Sequence, residues 1–236
     1  MVDQLSLPLS LRNDATFGNF LGAADSLRDQ VARALQSSVG RPEGGETAIY
    51  LWGGEGTGRS HLLQATCHQF QRSGKGALYL PLDELGEMPP ADLLADLEYQ
   101  PLVCLANVQA IAGERAWEEG IFSLFNRLRE QGNLLLISAD CPPRELPFHL
   151  PDLQSRLASC LVFHLPGYSD SEKTAILRFR AQRLGIGLSE EVATFILSRG
   201  DRSLAVLMAY LDRLDRASLS AGRRVTIPFV KDVFGW

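Results

Sequence analysis

The chain has 236 residues, 45% of them hydrophobic and 22% charged, with a formal net charge of -5. An acidic balance excludes a protein built mainly to neutralise nucleic-acid phosphates, which needs clustered Lys and Arg. No apolar run approaches the roughly 18 residues needed to span a bilayer. Asp3 and Pro8 stand where a secretory signal would carry basic residues and a long apolar core, so a cytoplasmic protein is expected.

The first motif along the chain is QLSLPL, Gln4 to Leu9. It reads either as an edge strand, where Pro8 is tolerated, or as an extended peptide for another protein's groove. Ala24 to Leu35 is predicted as an amphipathic helix with Leu27, Val31 and Leu35 on one face. Ser37 to Glu46 reads as a loop rich in Gly, Ser and Pro. Ala48 to Trp52 (AIYLW) is a short strand of buried type. It feeds straight into GGEGTGRS and a helical pattern from Arg59 to Gln71.

Further strand-like runs are Ala77 to Leu82, Pro101 to Val108, Leu134 to Ser138 and Cys160 to Leu165. A stripe at helical period, Trp117, Ile121, Leu124, Phe125 and Leu128, reads as core. Strands alternating with helices predict an α/β fold, its parallel sheet of five strands covered on both faces. Beyond Pro166-Gly167 the strand signals stop. Helices are expected at Ser171 to Leu184, Glu190 to Arg199 and Ser203 to Leu219, with a last one begun by Ile227-Pro228. Cys67, Cys104, Cys141 and Cys160 show no C-x-x-C pair and no His at ligand spacing, so buried free thiols are expected rather than zinc or disulfides.

Gly53-Gly54-Glu55-Gly56-Thr57-Gly58-Arg59-Ser60 fits the phosphate-loop template G-x-x-x-x-G-K-[ST] with one change. Its glycines let backbone N–H groups curl round an anion, and the following helix points its dipole at the same phosphates. Arg59 replaces the lysine: it keeps charge and donors but is bulkier and planar. Ser60 offers a hydroxyl to Mg²⁺. The third strand departs further. It ends in Ala106-Asn107 where a metal-holding carboxylate is required, so the site is expected to hold nucleotide and turn it over poorly. Ser138-Ala139-Asp140 ends the fourth strand, where a side chain can face the phosphates. Arg156 and Arg202 would each read alone as solvated; beside a phosphate loop they read as candidates for phosphate charge.

Together TFGNF, GGEGTGRSH, LVCLANVQAIAG, WEEGIFSLFNRL, LPDLQSRL, LDRLDRASL and VTIPFVK resemble the Hda family, small AAA+ proteins related to the bacterial replication initiator DnaA. The resemblance covers nearly the whole chain. It implies a P-loop AAA+ core of five parallel strands at 13–166, a small α-helical lid at 167–236, and a flexible clamp-binding peptide at 1–12. It also implies that Gly53, Gly54, Gly56, Thr57, Gly58, Arg59, Ser60 and His61 cradle an adenine nucleotide, ADP in preference to ATP. Ser138 or Asp140 would be the first sensor, Arg202 the second, and Arg156 an arginine finger acting on nucleotide held by a neighbouring subunit. Family members usually keep Asp at the position of Ala106, so Mg²⁺ is left open.

The family promotes hydrolysis of ATP on DnaA after initiation while bound to the DNA-loaded sliding clamp, the beta subunit of the polymerase. Gln4, Leu5, Leu7, Pro8 and Leu9 would dock on that clamp. With the chain ending at Trp236 directly after the lid, no direct specific DNA binding and no membrane association are expected, and weak homo-oligomers are. A stand-alone ATPase or helicase-loading factor is the competing reading, with Arg59 and Ala106 against it.

Overall fold

A computed structural model describes residues 11–22, 26–40 and 47–236. The candidate clamp peptide, Gln4 to Leu9, lies outside the described residues. The chain divides into two compact units, Met1–Pro166 and Gly167–Trp236.

In the first unit helix α1 spans Leu27–Ser37 and strand β1 Ala48–Trp52; α2 is Arg59–Arg72 and β2 Ala77–Pro81. Two short helices, α3 (Leu82–Leu85) and α4 (Pro90–Leu93), precede β3 (Leu102–Ala106). Then come α5 (Arg115–Glu130), β4 (Leu134–Ala139), α6 (Pro151–Ala158) and β5 (Leu161–His164). All pairings are parallel, in the order β2-β3-β4-β1-β5.

Side chains alternate across the sheet with period two, and the central strands are buried on both faces. Ile49, Leu51, Cys104, Ala106, Leu134 and Leu136 join α1 and α2 on one face. Tyr50, Val103, Leu105, Leu135 and Ile137 join the α5 stripe on the other. Each large side chain buried this way contributes about 1.5–3 kcal/mol. The predicted α5 stripe is buried throughout, and Trp117 also donates its indole N–H to the Gly86 carbonyl at 2.9 Å.

Four sequence expectations are corrected. The buried face of α1 runs through Arg28, Val31, Ala32 and Leu35, whereas Leu27 is 42% exposed. Spacing i, i+3, i+4, i+7 begins at Arg28, and Ser26 starts the helix by accepting the Asp29 N–H. Strand β3 stops at Ala106, not Val108, because Asn107 takes a left-handed φ of 59° and turns the chain into a 3-10 helix, Val108–Ile111. The loop predicted from Ser37 begins with the last residue of α1 and a 3-10 turn, Ser38–Gly40. Finally, β5 lies at the sheet edge with Leu161 and Val162 partly exposed, so it is not a fully covered strand.

The second unit contains α7 (Asp170–Arg183), α8 (Glu190–Arg199), α9 (Leu204–Ala221) and α10 (Ile227–Phe234). Ser169, Ser189, Ser203 and Thr226 cap them through their hydroxyls, Ser169 in a reciprocal capping box with Glu172. Leu177, Ile196, Leu207, Leu211, Leu214 and Phe229 form its own core. No helix among the described residues is long and apolar enough to cross a membrane.

Candidate functional site

Strand β1 lies between β4 and β5 and delivers the phosphate loop at its C-terminal end. Gly53 donates its N–H to the Ala139 carbonyl at 3.3 Å, and a Cβ there would sit 2.2 Å from the Leu165 carbonyl oxygen, so no other residue fits. Gly54 meets nothing within 4 Å, and its carbonyl accepts the Thr57 hydroxyl at 2.9 Å. Gly56 and Gly58 have φ of 71° and 95°; the second starts α2 in a conformation that disfavours any side chain.

The loop is fastened from beneath by Arg28. Its guanidinium is 4% exposed, donates Nη1–H to the Thr57 carbonyl at 3.0 Å, and donates from Nη2 to the Pro166 carbonyl. Sequence reasoning missed Arg28; the signal was its place at the head of the four-residue helical stripe.

Helix α2 begins with no side-chain cap and no acidic residue in its first turn, leaving its dipole and free N–H groups to an anion. Arg59, the first residue, is partly buried. Burial pulls its guanidinium below the ordinary value, opposed first by Asp140 and then by Tyr50, Asp83 and Cys141. Its Nη1 is buried without a hydrogen-bond partner. A buried unpaired donor costs about 1–3 kcal/mol, more when charged, so a phosphate oxygen fits here.

The expected metal position does not match a metal. Ala106 is fully buried on the α2 side of the sheet. Asn107 donates its backbone N–H to the buried Ser138 hydroxyl at 3.3 Å. Burial raises the Tyr79 phenol, and the Gln64 and then the Ser60 side chains beside it pull it back down. Among the described residues no group of three or more His, Cys, Asp or Glu could hold a metal ion. Tyr79 is a second residue sequence reasoning overlooked, since it lies inside an ordinary strand pattern.

The other candidates separate. Ser138 faces Asn107, whereas Asp140 is exposed beyond β4 and acts on Arg59. His61 turns its ring towards the N-terminal segment: Nε2 lies 2.9 Å from the Thr16 carbonyl and the ring sits beside Phe20. Arg156 is on α6, half-exposed, and among the described residues its guanidinium has no hydrogen bond or ion pair. What holds α6 is Glu118, a fully buried carboxylate on α5 that accepts the N–H groups of Gly113, His149 and Leu150. In the second unit Arg202 pairs with Asp170 at 3.1 Å, both exposed, beside a depression that Thr174, Arg178 and Glu190 also line.

The sheet order, the phosphate loop and the separate helical unit are those of the P-loop AAA+ fold. Solved structures agree on the fold. Domain III of the replication initiation protein DnaA from Thermotoga maritima superposes with a TM-score of 0.79 at 22% identity, covering 96% of this chain and 98% of that one. AMPPCP-bound DnaA from Aquifex aeolicus gives 0.76 at 18% identity over 90% of this chain and 68% of that one. The Holliday junction branch migration motor RuvB of Thermotoga maritima gives 0.67 at 15% identity, over 93% and 73%. Residues 170–234 match the family model of the Hda lid domain.

Proposed function

We propose that this chain binds an adenine nucleotide, ADP in preference to ATP, and regulates the replication initiator DnaA by stimulating hydrolysis of DnaA-bound ATP from the sliding clamp, which prevents re-initiation. The observation that carries the reading is Arg156. A guanidinium held on a fixed helix, with no partner among the described residues, is ready for phosphate on another subunit. An arginine finger supplied in trans is worth about 10³–10⁵ in rate. The Hda-type lid and the DnaA-like fold support DnaA as the partner. The AMPPCP held by the Aquifex DnaA supports an adenine nucleotide in the phosphate loop.

In this reading Gly53 to Ser60 bind the phosphates through backbone N–H groups and Arg59. Ser138 and Asp140 sense them, and Arg202 is the second sensor. Gln4 to Leu9 tether the chain to the clamp, with Leu5, Leu7 and Leu9 as apolar anchors, and the protein works in the cytoplasm. The stand-alone ATPase reading has Ala106 against it, because the carboxylate that would hold a metal is missing.

The test is clamp-dependent hydrolysis of DnaA-bound ATP with wild-type protein and with Arg156→Ala. Loss of stimulation with unchanged ADP binding is expected. Undiminished stimulation overturns the finger role, and Mg²⁺-dependent hydrolysis by this chain alone would favour the competing reading. Deleting residues 4–9 should abolish clamp capture and leave ADP binding intact.

A further inference from the structure

The charge in the phosphate loop is arranged unlike that of a metal-dependent nucleotide site, and the difference is chemical. A metal-dependent loop balances phosphate charge with a compact ammonium plus a divalent ion, and the ion is held by the loop hydroxyl and a carboxylate from the neighbouring strand. Here all three parts differ. The ammonium is replaced by the Arg59 guanidinium, whose buried Nη1 has no partner. The loop hydroxyl of Ser60 has the Tyr79 phenol beside it in place of a carboxylate. The strand-end carboxylate is Ala106, fully buried on the face that packs against α2. The next residue cannot substitute, because Asn107 is turned into the left-handed region and its backbone is bonded to Ser138.

Two exposed carboxylates, Asp83 and Asp140, act on Arg59 through their charge without an ion pair among the described residues. They balance the guanidinium, and they oppose any phosphate charge beyond what Arg59 and the loop N–H groups neutralise. A γ-phosphate brings such charge, and a metal ordinarily bridges it to the β-phosphate.

We propose that this site takes a nucleoside diphosphate without a divalent cation, the forked guanidinium of Arg59 standing where an ammonium and a metal ion act together elsewhere. The proposal rests on the nucleotide-binding reading above and deepens it: Arg59 and Ala106 select both the metal-free ligand and the diphosphate. Arginine suits the task because two parallel N–H groups can meet two phosphate oxygens, whereas an ammonium is a point charge.

The experiment is titration of the purified full chain, stripped of nucleotide, with a fluorescent ADP analogue in EDTA and again in Mg²⁺. Affinity in EDTA within about threefold of that in Mg²⁺ is expected. Tightening by Mg²⁺ beyond that overturns the proposal while leaving nucleotide binding intact. No binding in either buffer overturns the nucleotide-binding reading itself. Arg59→Lys should weaken binding in EDTA by about tenfold, or 1.4 kcal/mol; unchanged affinity overturns the role given to Arg59. Ala106→Asp should introduce dependence on Mg²⁺. Because Ala106 is buried, its folding is checked by thermal melting, and a folded variant indifferent to Mg²⁺ overturns the role given to Ala106. The wild-type comparison stands without either variant.

Discussion

Glu118 on α5 accepts the backbone N–H of Leu150 at 2.7 Å, and through its other oxygen the N–H groups of Gly113 and His149. One buried carboxylate thus fixes the segment from which α6 and Arg156 start. Glu118→Gln keeps the shape but turns an amide N–H₂ towards a backbone donor. A loss of about 1–3 kcal/mol is expected in urea unfolding, with stimulation of the partner reduced in parallel.

Arg28 should be a stability residue first. Arg28→Ala leaves the Thr57 and Pro166 carbonyls without their donor, and a cost of about 1–3 kcal/mol is expected, mainly from the orphaned acceptor of buried Thr57. Arg28→Lys should recover only part of it, because an ammonium lacks the fork that spans both oxygens. Thermal melting of the two variants checks the ranking.

Gly53 and Gly54 are neighbours with opposite tolerance. Gly53→Ala meets backbone oxygen at 2.2 Å, which cannot swing aside as a side chain can, and should destabilise by about 1–3 kcal/mol. Gly54→Ala enters open space and should stay within about 0.5 kcal/mol of wild type. Equal melting temperatures for the pair would contradict the packing at Leu165.

Alkaline pH should weaken the first unit. Burial, then the hydrogen bond and charge of Asp140, push the Cys141 thiol up from 9.0 to about 11. Burial likewise raises Tyr50 and Tyr79, and it raises Cys104 beside Cys67. Each folded group holds its proton more tightly than the unfolded chain. The stability they contribute is therefore complete below pH 9 and is lost as pH rises through the folded values. Urea midpoints should fall from pH 9 upwards. Cys141→Ser should flatten the pH 9 to 11 portion, though modestly, because Cys141 is partly solvated and screened.

Arg156→Ala should be neutral in stability, within about 0.5 kcal/mol, since its side chain has no partner to lose among the described residues. A large drop in melting temperature would show a structural role in place of a functional one.

The central strands were legible because their apolar runs are short, dense and buried on both faces: β1 is found at Ala48–Trp52 as expected, and β4 only one residue longer than expected. The lid helices were legible because Ser and Thr caps mark their starts. What escaped was long-range. Glu118 looks like one more polar residue in WEEG until the chain brings Leu150 to it from 32 positions away. Arg28 carries the charge that usually marks a solvated face, and carbonyls brought to it by the fold, those of Thr57 and Pro166 among them, help make its burial tolerable. The turn at Asn107 was hidden because the apolar run continues into Val108, and nothing local marks the left-handed residue between.

The placement of β1 has a consequence for association. The loop's first residue is bonded to β4 on one flank and pressed against the end of β5 on the other, while Arg28 grips its middle. A cradle already immobilised before an anion arrives has little conformational freedom left to surrender. Ligands should therefore differ in affinity mainly through how well they replace the water around Arg59, and hydrogen exchange at the Gly53 amide should change little when one binds.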